Sequence, residues 1–275
     1  MSVGVDAIET NTFGANLANL GEYGIEDRIY ELAFAGAQIA RRSADTFATE
    51  SAPKYVLGSM GPGTKLPTLG HTTYEVLKDA YEICARGLIE GGSDGLLIET
   101  TQDLLQAKAA INGARSAIDK SNKDILLIAQ VTVETNGTML LGSEIGAALN
   151  ALEPLGIDFI GLNCATGPQE MSEHLRTLSL NTNIGISVMP NAGLPILGEN
   201  GAHYPLSPDE LANSLLSFVK DYKVNLVGGC CGTTPEHLAA VVRKIKSQGV
   251  EKRSVSTESG ASSLYQLSLI HISEP

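Results

Sequence analysis

Short apolar runs alternate with longer helical segments along almost the whole sequence. Runs such as Ile125–Ala129 are apolar without interruption, which is typical of parallel strands buried on both faces. This alternation indicates an α/β protein with a parallel sheet. The predicted strands are Asp6–Glu9, Lys54–Ser59, Gly95–Glu99, Ile125–Val133, Phe159–Asn163, Ile184–Met189 and Asn225–Val227. The predicted helices are Ile29–Thr46, Thr73–Glu90, Asp103–Asp119, Ser143–Leu155, Gln169–Leu180, Ser207–Tyr222 and Pro235–Ser247.

The number of strand–helix units distinguishes two architectures. The sequence contains seven units, whereas a closed (β/α)8 barrel needs eight. Polar residues stand at the C-terminal end of nearly every strand, where barrel enzymes place their chemistry. We therefore expect an α/β TIM barrel that lacks its first strand–helix unit. The alternative is a doubly wound open sheet, in which seven strands are acceptable.

Charge and composition exclude several classes of protein. The chain has 19 basic and 31 acidic side chains, a formal charge of −12, which does not favour nucleic acid or an anionic membrane as a partner. No apolar stretch approaches the roughly 20 residues of a membrane span, and no secretory signal is visible at Met1–Asp6. Four cysteines do not make a disulfide-dense scaffold, so we expect a reducing, cytoplasmic setting.

The C-terminal part of the chain differs from the rest. From Ser254 onward the sequence is rich in serine and shows neither helical nor strand periodicity before Leu264. We predict one barrel over residues 1–250, then a linker and tail over 251–275. The final stretch, Leu267–Pro275, resembles the translation of a sequencing adapter, so we expect it to be non-native.

Three of the four cysteines stand just past predicted strands. Cys164 follows Phe159–Asn163, and Cys230 and Cys231 follow Asn225–Val227. Neighbouring residues of a strand point to opposite faces, but the flanking glycines allow the chain to turn both sulfurs toward one centre. Three converging thiolates suit Zn²⁺, and three protein ligands leave one position open, as in catalytic zinc sites.

Other readings of the same residues remain open. The cysteines could line a barrel mouth without metal, since buried free cysteines are common. The segment Gly228–Thr234 also precedes a helix, where barrels often bind phosphate, although no lysine stands at a strand end to support an aldolase or isomerase.

Further candidate functional residues lie at the ends of strands or on helices. Glu99 ends a strand, where it could bind an ammonium group or act as a base, or be only a solvated strand end or helix cap. Asn191 follows another strand. His174 and His237 lie on predicted helices, and we expect both at the surface.

Five motifs together resemble the homocysteine S-methyltransferase family. The resemblance runs from about Val5 to Ile245 and is most specific in the cysteine motifs. Among family members, the sequence is most similar to the homocysteine-binding module of the cobalamin-dependent enzymes. The motifs are ETNTFGAN at Glu9–Asn16, GSMGPG at Gly58–Gly63, GLNC at Gly161–Cys164, PNAGLP at Pro190–Pro195 and GGCCGTTPEH at Gly228–His237.

The resemblance implies zinc-dependent methyl transfer to the thiol of homocysteine, giving methionine. It implies that Cys164, Cys230 and Cys231 bind Zn²⁺, that Asn191 fills the fourth position before substrate arrives, and that Glu99 receives the substrate ammonium group. It also implies methylcobalamin as donor, bound on a separate module, with folate and cobalamin modules following on the same full-length chain.

One departure from the family pattern affects these expectations. The family opens with a strand carrying a DGAMGT-like motif, which this sequence lacks, in agreement with the count of seven units. We therefore expect that this chain alone binds homocysteine poorly. A methylsulfonium, betaine or folate-linked donor remains an alternative, as does a zinc-binding module without turnover.

Overall fold

The computed structural model describes residues 1–198 and 201–249. The chain groups into two compact units, Met1–Gln130 and a second unit from Val131 onward. The linker and tail predicted at 251–275 lie outside the described residues, so that boundary stays a prediction. Among the described residues, no helix has the length and apolar character needed to cross a membrane.

The first unit consists of strands and helices in alternation. Its strands are hydrogen-bonded in the order β1-β2-β3-β4, and β2 is parallel to both β1 and β3. The elements are β1 (Ala7–Glu9), α1 (Leu17–Gly21), α2 (Ile29–Phe47), β2 (Tyr55–Met60), α3 (Tyr74–Glu90), β3 (Gly95–Thr101), α4 (Leu104–Ser121) and β4 (Leu126–Val131), the last ending at the unit boundary.

Sequence patterns explain why these segments are helical. Ala33, Ala37, Ala40 and Ala44 form one buried stripe at helical spacing along α2. Asp103 is the N-cap of helix α4, and its side chain accepts the backbone N–H groups of the first turn. Small residues on these helices permit close packing against the neighbouring strands and helices.

The second unit repeats the same arrangement. Strand β6 is parallel to β5 on one side and to β9 on the other, and β7 and β8 form an antiparallel hairpin. The elements are α5 (Ile145–Leu152), β5 (Phe159–Asn163), α6 (Pro168–Asn181), β6 (Gly185–Met189), β7 (Ile196–Gly198), β8 (Gly201–His203), α7 (Pro208–Asp221), β9 (Leu226–Val227) and α8 (Pro235–Lys246).

Helix α7 shows how the sequence fixes the boundaries in this unit. Ser207 and Glu210 form a reciprocal capping box around Pro208, as the sequence predicts. Leu211 and Leu215, one turn apart, are fully buried on the inner face.

All seven predicted strand–helix units are present among the described residues, with ends that differ by a few positions. Two features were not predicted. Helix α1 is only five residues long, too short for a periodic pattern, and the β7–β8 hairpin stands apart from the parallel strands. The α/β class and the absence of an eighth unit from the described residues agree with the sequence prediction.

Candidate metal centre

Cys164 lies in a sharp turn immediately after β5. Its φ is 60° and that of Ala165 is 57°, so two non-glycine residues occupy the left-handed region. This conformation costs roughly 1–2 kcal/mol per residue. It is held by backbone hydrogen bonds, from Cys164 N to Met189 O at 3.1 Å and from Thr166 N to Cys164 O at 2.7 Å. Backbone strain of this kind is concentrated at functional sites.

Cys230 and Cys231 lie in the loop that follows β9. The strand ends at Val227, so the two cysteines are free of strand alternation, as the flanking glycines suggested. Cys230 N donates to Pro190 O at 2.8 Å, and Ala192 N donates to Cys231 O at 2.9 Å. These bonds tie the cysteine loop to the segment that follows β6.

The three cysteine sulfurs form one cluster. Their Sγ atoms all lie within 4.8 Å of one another. The Sγ of Cys231 is 3.8 Å from that of Cys164 and 4.0 Å from that of Cys230. Zinc–sulfur bonds of about 2.3 Å at tetrahedral angles separate the sulfurs by about 3.8 Å. The cluster therefore has the donor atoms and the spacing of a tetrahedral zinc site.

The three thiols of the cluster shift one another's pKa values. A hydrogen bond from the Cys230 thiol is the main reason that the pKa of Cys164 falls to about 6, with the Ala165 backbone N–H contributing further. The same hydrogen bond, together with burial, raises the pKa of Cys230. Burial and then the charge of Cys164 raise the pKa of Cys231. These shifts favour ionisation of Cys164 before that of Cys230 or Cys231.

Asn191 lies beside the cluster and is almost completely buried, with 3% of its surface exposed. Its Oδ1 accepts a hydrogen bond from Cys231 N at 3.1 Å, and its amide contributes to lowering the pKa of Cys164. The structure therefore brings Asn191 together with the three predicted cysteine ligands. Its side-chain amide bonds to the Cys231 segment, and its backbone N–H donates to Thr166 O at 3.1 Å in the Cys164 segment.

Glu99 lies in strand β3 of the first unit. It is 7% exposed, which rules out the solvated strand end considered from the sequence. Ser59 Oγ donates to Glu99 Oε1 at 2.5 Å, and the backbone N–H of Ser59 donates to Thr10 Oγ1 at 2.9 Å. A network of buried hydroxyl groups thus positions this carboxylate.

Glu9, at the end of β1, is electrostatically linked to Glu99. The side chain is open to solvent on one side, yet protein atoms crowd its carboxyl group. This loss of solvent, followed by the charge of Glu99, raises the pKa of Glu9 to about 7. A pair of carboxyl groups such as this favours a cationic group as its partner.

His237 is buried, so the expectation of a surface position was wrong. We expected a surface residue, but His237 is 8% exposed. Its Nε2 donates to Leu206 O at 2.8 Å, and its Nδ1 accepts from Thr234 N at 3.2 Å. The reason is the spacing Thr234-x-x-His237, which places the imidazole where a capping box usually has glutamate.

Tyr204 was not identified from the sequence at all. Its ring lies against Gly232, the residue next to Cys231. No motif or spacing links Tyr204 to cysteines that are distant in the sequence. Only the fold of the intervening chain brings them together.

Comparison with known proteins identifies relatives of this chain. The family model for homocysteine S-methyltransferases matches residues 1–245. The chain is 60% identical over 262 residues to methionine synthase of Mycobacterium tuberculosis, covering 95% of this chain and 22% of that protein. It is 59% identical over 267 residues to methionine synthase of Mycobacterium leprae, with the same coverage. The chain thus spans about a fifth of the length of these relatives.

A solved structure shows the same fold. The metallated form of the homocysteine methyltransferase MmuM from Escherichia coli matches with a TM-score of 0.71 at 19% identity. The match covers 89% of this chain and 81% of that chain. At this level of identity the likeness concerns the fold alone, and it confirms the barrel type of α/β fold predicted from the sequence.

Proposed function

Because this chain belongs to the homocysteine S-methyltransferase family, we propose that it transfers a methyl group to the thiol of homocysteine, giving methionine. The observation that carries the proposal is the cluster of Cys164, Cys230 and Cys231, whose sulfurs lie within 4.8 Å of one another. A methyl acceptor thiol is only a few per cent ionised at neutral pH, so the reaction needs a group that ionises it.

We propose Zn²⁺ as that group, held by Cys164, Cys230 and Cys231, with Asn191 at the fourth position before substrate arrives. When bound, zinc supplies a Lewis acid that ionises a thiol at neutral pH. The sulfur spacing fits tetrahedral coordination. Three cysteine thiolates around a divalent cation leave a net charge of about −1, so a substrate sulfur in that surrounding stays electron-rich and nucleophilic.

Glu99 is the proposed partner of the substrate ammonium group. Its burial and its short hydrogen bond from Ser59 hold the carboxylate in one orientation. The neighbouring Glu9 adds negative potential that favours a cation. Binding the amino group of an amino acid is a suitable role for such a carboxylate pair.

The helix start beside the cysteines fits phosphate less well than metal. Thr234 N, one of the first N–H groups there, already donates to the imidazole of His237. A phosphate site needs such N–H groups free to face the ligand. The loop thus supplies two of the three soft sulfur donors of the cluster, and the helix start that follows it is partly satisfied internally.

The remaining partners are proposed from the family and the relatives. We propose methylcobalamin as methyl donor, bound on a separate module, with folate and cobalamin modules on the same longer chain. The much greater length of the two mycobacterial methionine synthases supports additional modules. We also propose a cytoplasmic location, since all four cysteines are free thiols and thiol clusters persist in reducing compartments.

The test supplies zinc-loaded chain with homocysteine and free methylcobalamin and measures methionine. Cys230→Ser removes one proposed ligand, and Cys84→Ala removes a buried thiol far along the sequence as a matched control. We expect methionine from the unmodified chain and from Cys84→Ala but not from Cys230→Ser. Methionine formation that is equal in all three would refute the role of the cluster. Zinc binding without any methionine would instead indicate a binding module without turnover.

A further inference from the structure

Two threonine hydroxyl groups just after β1 hold the backbone of Ser59 through both of its polar groups. Ser59 N donates to Thr10 Oγ1 at 2.9 Å, and Thr12 Oγ1 donates to Ser59 O at 2.7 Å. The Oγ1 atoms of the two threonines are 2.6 Å apart and share a further hydrogen bond. The three hydrogen bonds close a ring between the residues that follow β1 and the end of β2.

The direction of each hydrogen bond in this ring is determined. A carbonyl oxygen only accepts, so the single hydroxyl proton of Thr12 is used on Ser59 O. The proton between the two threonines therefore comes from Thr10, whose oxygen in turn accepts the Ser59 N–H. Both threonines are buried, where a hydrogen bond is electrostatically stronger than in water.

Helix α2 fixes the rotation of the Thr12 side chain. A Cβ atom added at Gly36 of α2 would lie 2.4 Å from Thr12 Cγ2, so the threonine methyl group lies against the glycine backbone. Because β-branched side chains are stiff at χ1, fixing the methyl group also fixes the hydroxyl group. The Thr12 hydroxyl group is therefore held in its direction toward Ser59 O.

Ser59 in turn contacts the carboxylate that is proposed to bind the substrate ammonium group. Ser59 Oγ donates to Glu99 Oε1 at 2.5 Å, and both side chains are buried. A serine oxygen is one carbon away from the backbone and has three staggered positions. With the Ser59 backbone held by the ring, the donor to Glu99 has a defined place.

From this arrangement we infer that Thr12 is a positioning residue for substrate binding, whose hydroxyl group acts through Thr10 and Ser59 to hold the Glu99 carboxylate toward an ammonium group. The inference rests on the proposed function, because it gives Thr12 a role toward the proposed partner of the substrate. It extends that proposal to a residue outside the proposed metal ligands and the proposed ammonium partner. The alternative is that Thr12 only packs against Gly36.

Two substitutions of Thr12 separate these roles. Thr12→Val removes the hydroxyl group and keeps a methyl group against Gly36, whereas Thr12→Ser keeps the hydroxyl group and removes the methyl group. Thr182→Val is the matched control in the second unit. The buried Thr182 also hydrogen-bonds through its hydroxyl group to a carboxylate, Glu153 Oε1, at 2.7 Å.

Two readouts are measured on the full 275-residue chain. The first is the homocysteine affinity of the zinc-loaded chain, measured by calorimetry. The second is the NMR resonance of the Glu99 side-chain carboxyl carbon, assigned with Glu99→Gln, which needs neither zinc nor homocysteine. Ser59→Ala removes the donor to Glu99 and tests the same network by a second substitution. Circular dichroism verifies that each variant is folded.

We expect Thr12→Val to weaken homocysteine binding about fivefold, less than Glu99→Gln, because the charge stays and only the hydrogen bonding that positions it is lost. Thr12→Val and Ser59→Ala should also shift the Glu99 carboxyl resonance. Thr12→Ser and Thr182→Val should leave both readouts unchanged.

The outcomes distinguish this inference from the proposed function. If Glu99→Gln weakens homocysteine binding and Thr12→Val leaves either readout unchanged, the inference is overturned and the proposed function stands. An equal loss of affinity in Thr12→Ser would also overturn it, since that variant keeps the hydroxyl group. A zinc-loaded chain that binds no homocysteine would refute the proposed function, and the Glu99 resonance would still decide whether Thr12 positions the carboxylate.

Discussion

Gly161, in the middle of β5, is the residue whose substitution should most directly separate the strands beneath the metal centre. A Cβ atom at this position would lie 2.1 Å from Ser187 O and 2.2 Å from Ser187 Oγ on the neighbouring strand β6. The close approach involves the backbone oxygen, which cannot rotate away as a side chain can. Gly161→Ala must therefore push β5 and β6 apart.

The size of the effect follows from this overlap. Overpacking a well-packed interior costs typically 1–3 kcal/mol, and a clash with backbone belongs at the upper end. For a domain of this size each kcal/mol lowers Tm by about 2–4 °C, so about 3 kcal/mol corresponds to a decrease of about 6–12 °C. Because Cys164 N is hydrogen-bonded to Met189 O across the same two strands, zinc affinity should also fall.

The assay is thermal unfolding followed by circular dichroism, with zinc affinity measured on the same samples. Gly21→Ala is the control, since an added Cβ there meets nothing within 4 Å, and Tm should change little. Adding Ser187→Ala to Gly161→Ala removes the hydroxyl overlap but leaves the backbone overlap, so we expect only partial recovery. An unchanged Tm for Gly161→Ala would refute the reasoning.

Three further predictions concern the site residues. Asn191→Ala leaves the Cys231 N–H without its partner and should lower the free energy of unfolding by about 1–3 kcal/mol, measured by denaturant titration. Glu99→Gln removes the charge that faces an ammonium group and should weaken homocysteine binding to the zinc-loaded chain by about tenfold or more, measured by calorimetry; equal affinity would contradict the proposed role. Near pH 7 Cys164 is ionised, since its pKa is about 6, whereas Cys230 and Cys231 keep their protons because their pKa values are raised. Zinc binding should therefore release about two protons, so affinity rises with pH and is lost as pH falls; calorimetry in buffers of different ionisation enthalpy counts the protons.

The fold was predictable because its elements have local signals. The continuous apolar run at Ile125–Ala129 contains most of β4, and Ser207 with Glu210 marks the start of α7. The seven strand–helix units follow from such signals. The β7–β8 hairpin has no comparable pattern, so sequence reasoning did not find it.

The convergence of the cysteine sulfurs was predictable from the sequence, whereas the surroundings of the cluster were not. The positions of Cys164 and Cys230 after parallel strands were enough to predict that their sulfurs converge. The left-handed conformation of Cys164 and Ala165 has no sequence signal, because neither residue is one that favours it. The contact between the Tyr204 ring and Gly232 depends on the path of the chain between them, which local patterns do not determine.

The most direct test of the account is the amount of zinc bound per chain in freshly purified protein, with Cys230→Ser and Cys84→Ala as comparison variants. We expect about one zinc per chain in the unmodified protein and in Cys84→Ala, and loss of that zinc in Cys230→Ser. Circular dichroism on the same samples establishes that each chain is folded. A folded, unmodified chain that binds no zinc would contradict the metal centre proposed here.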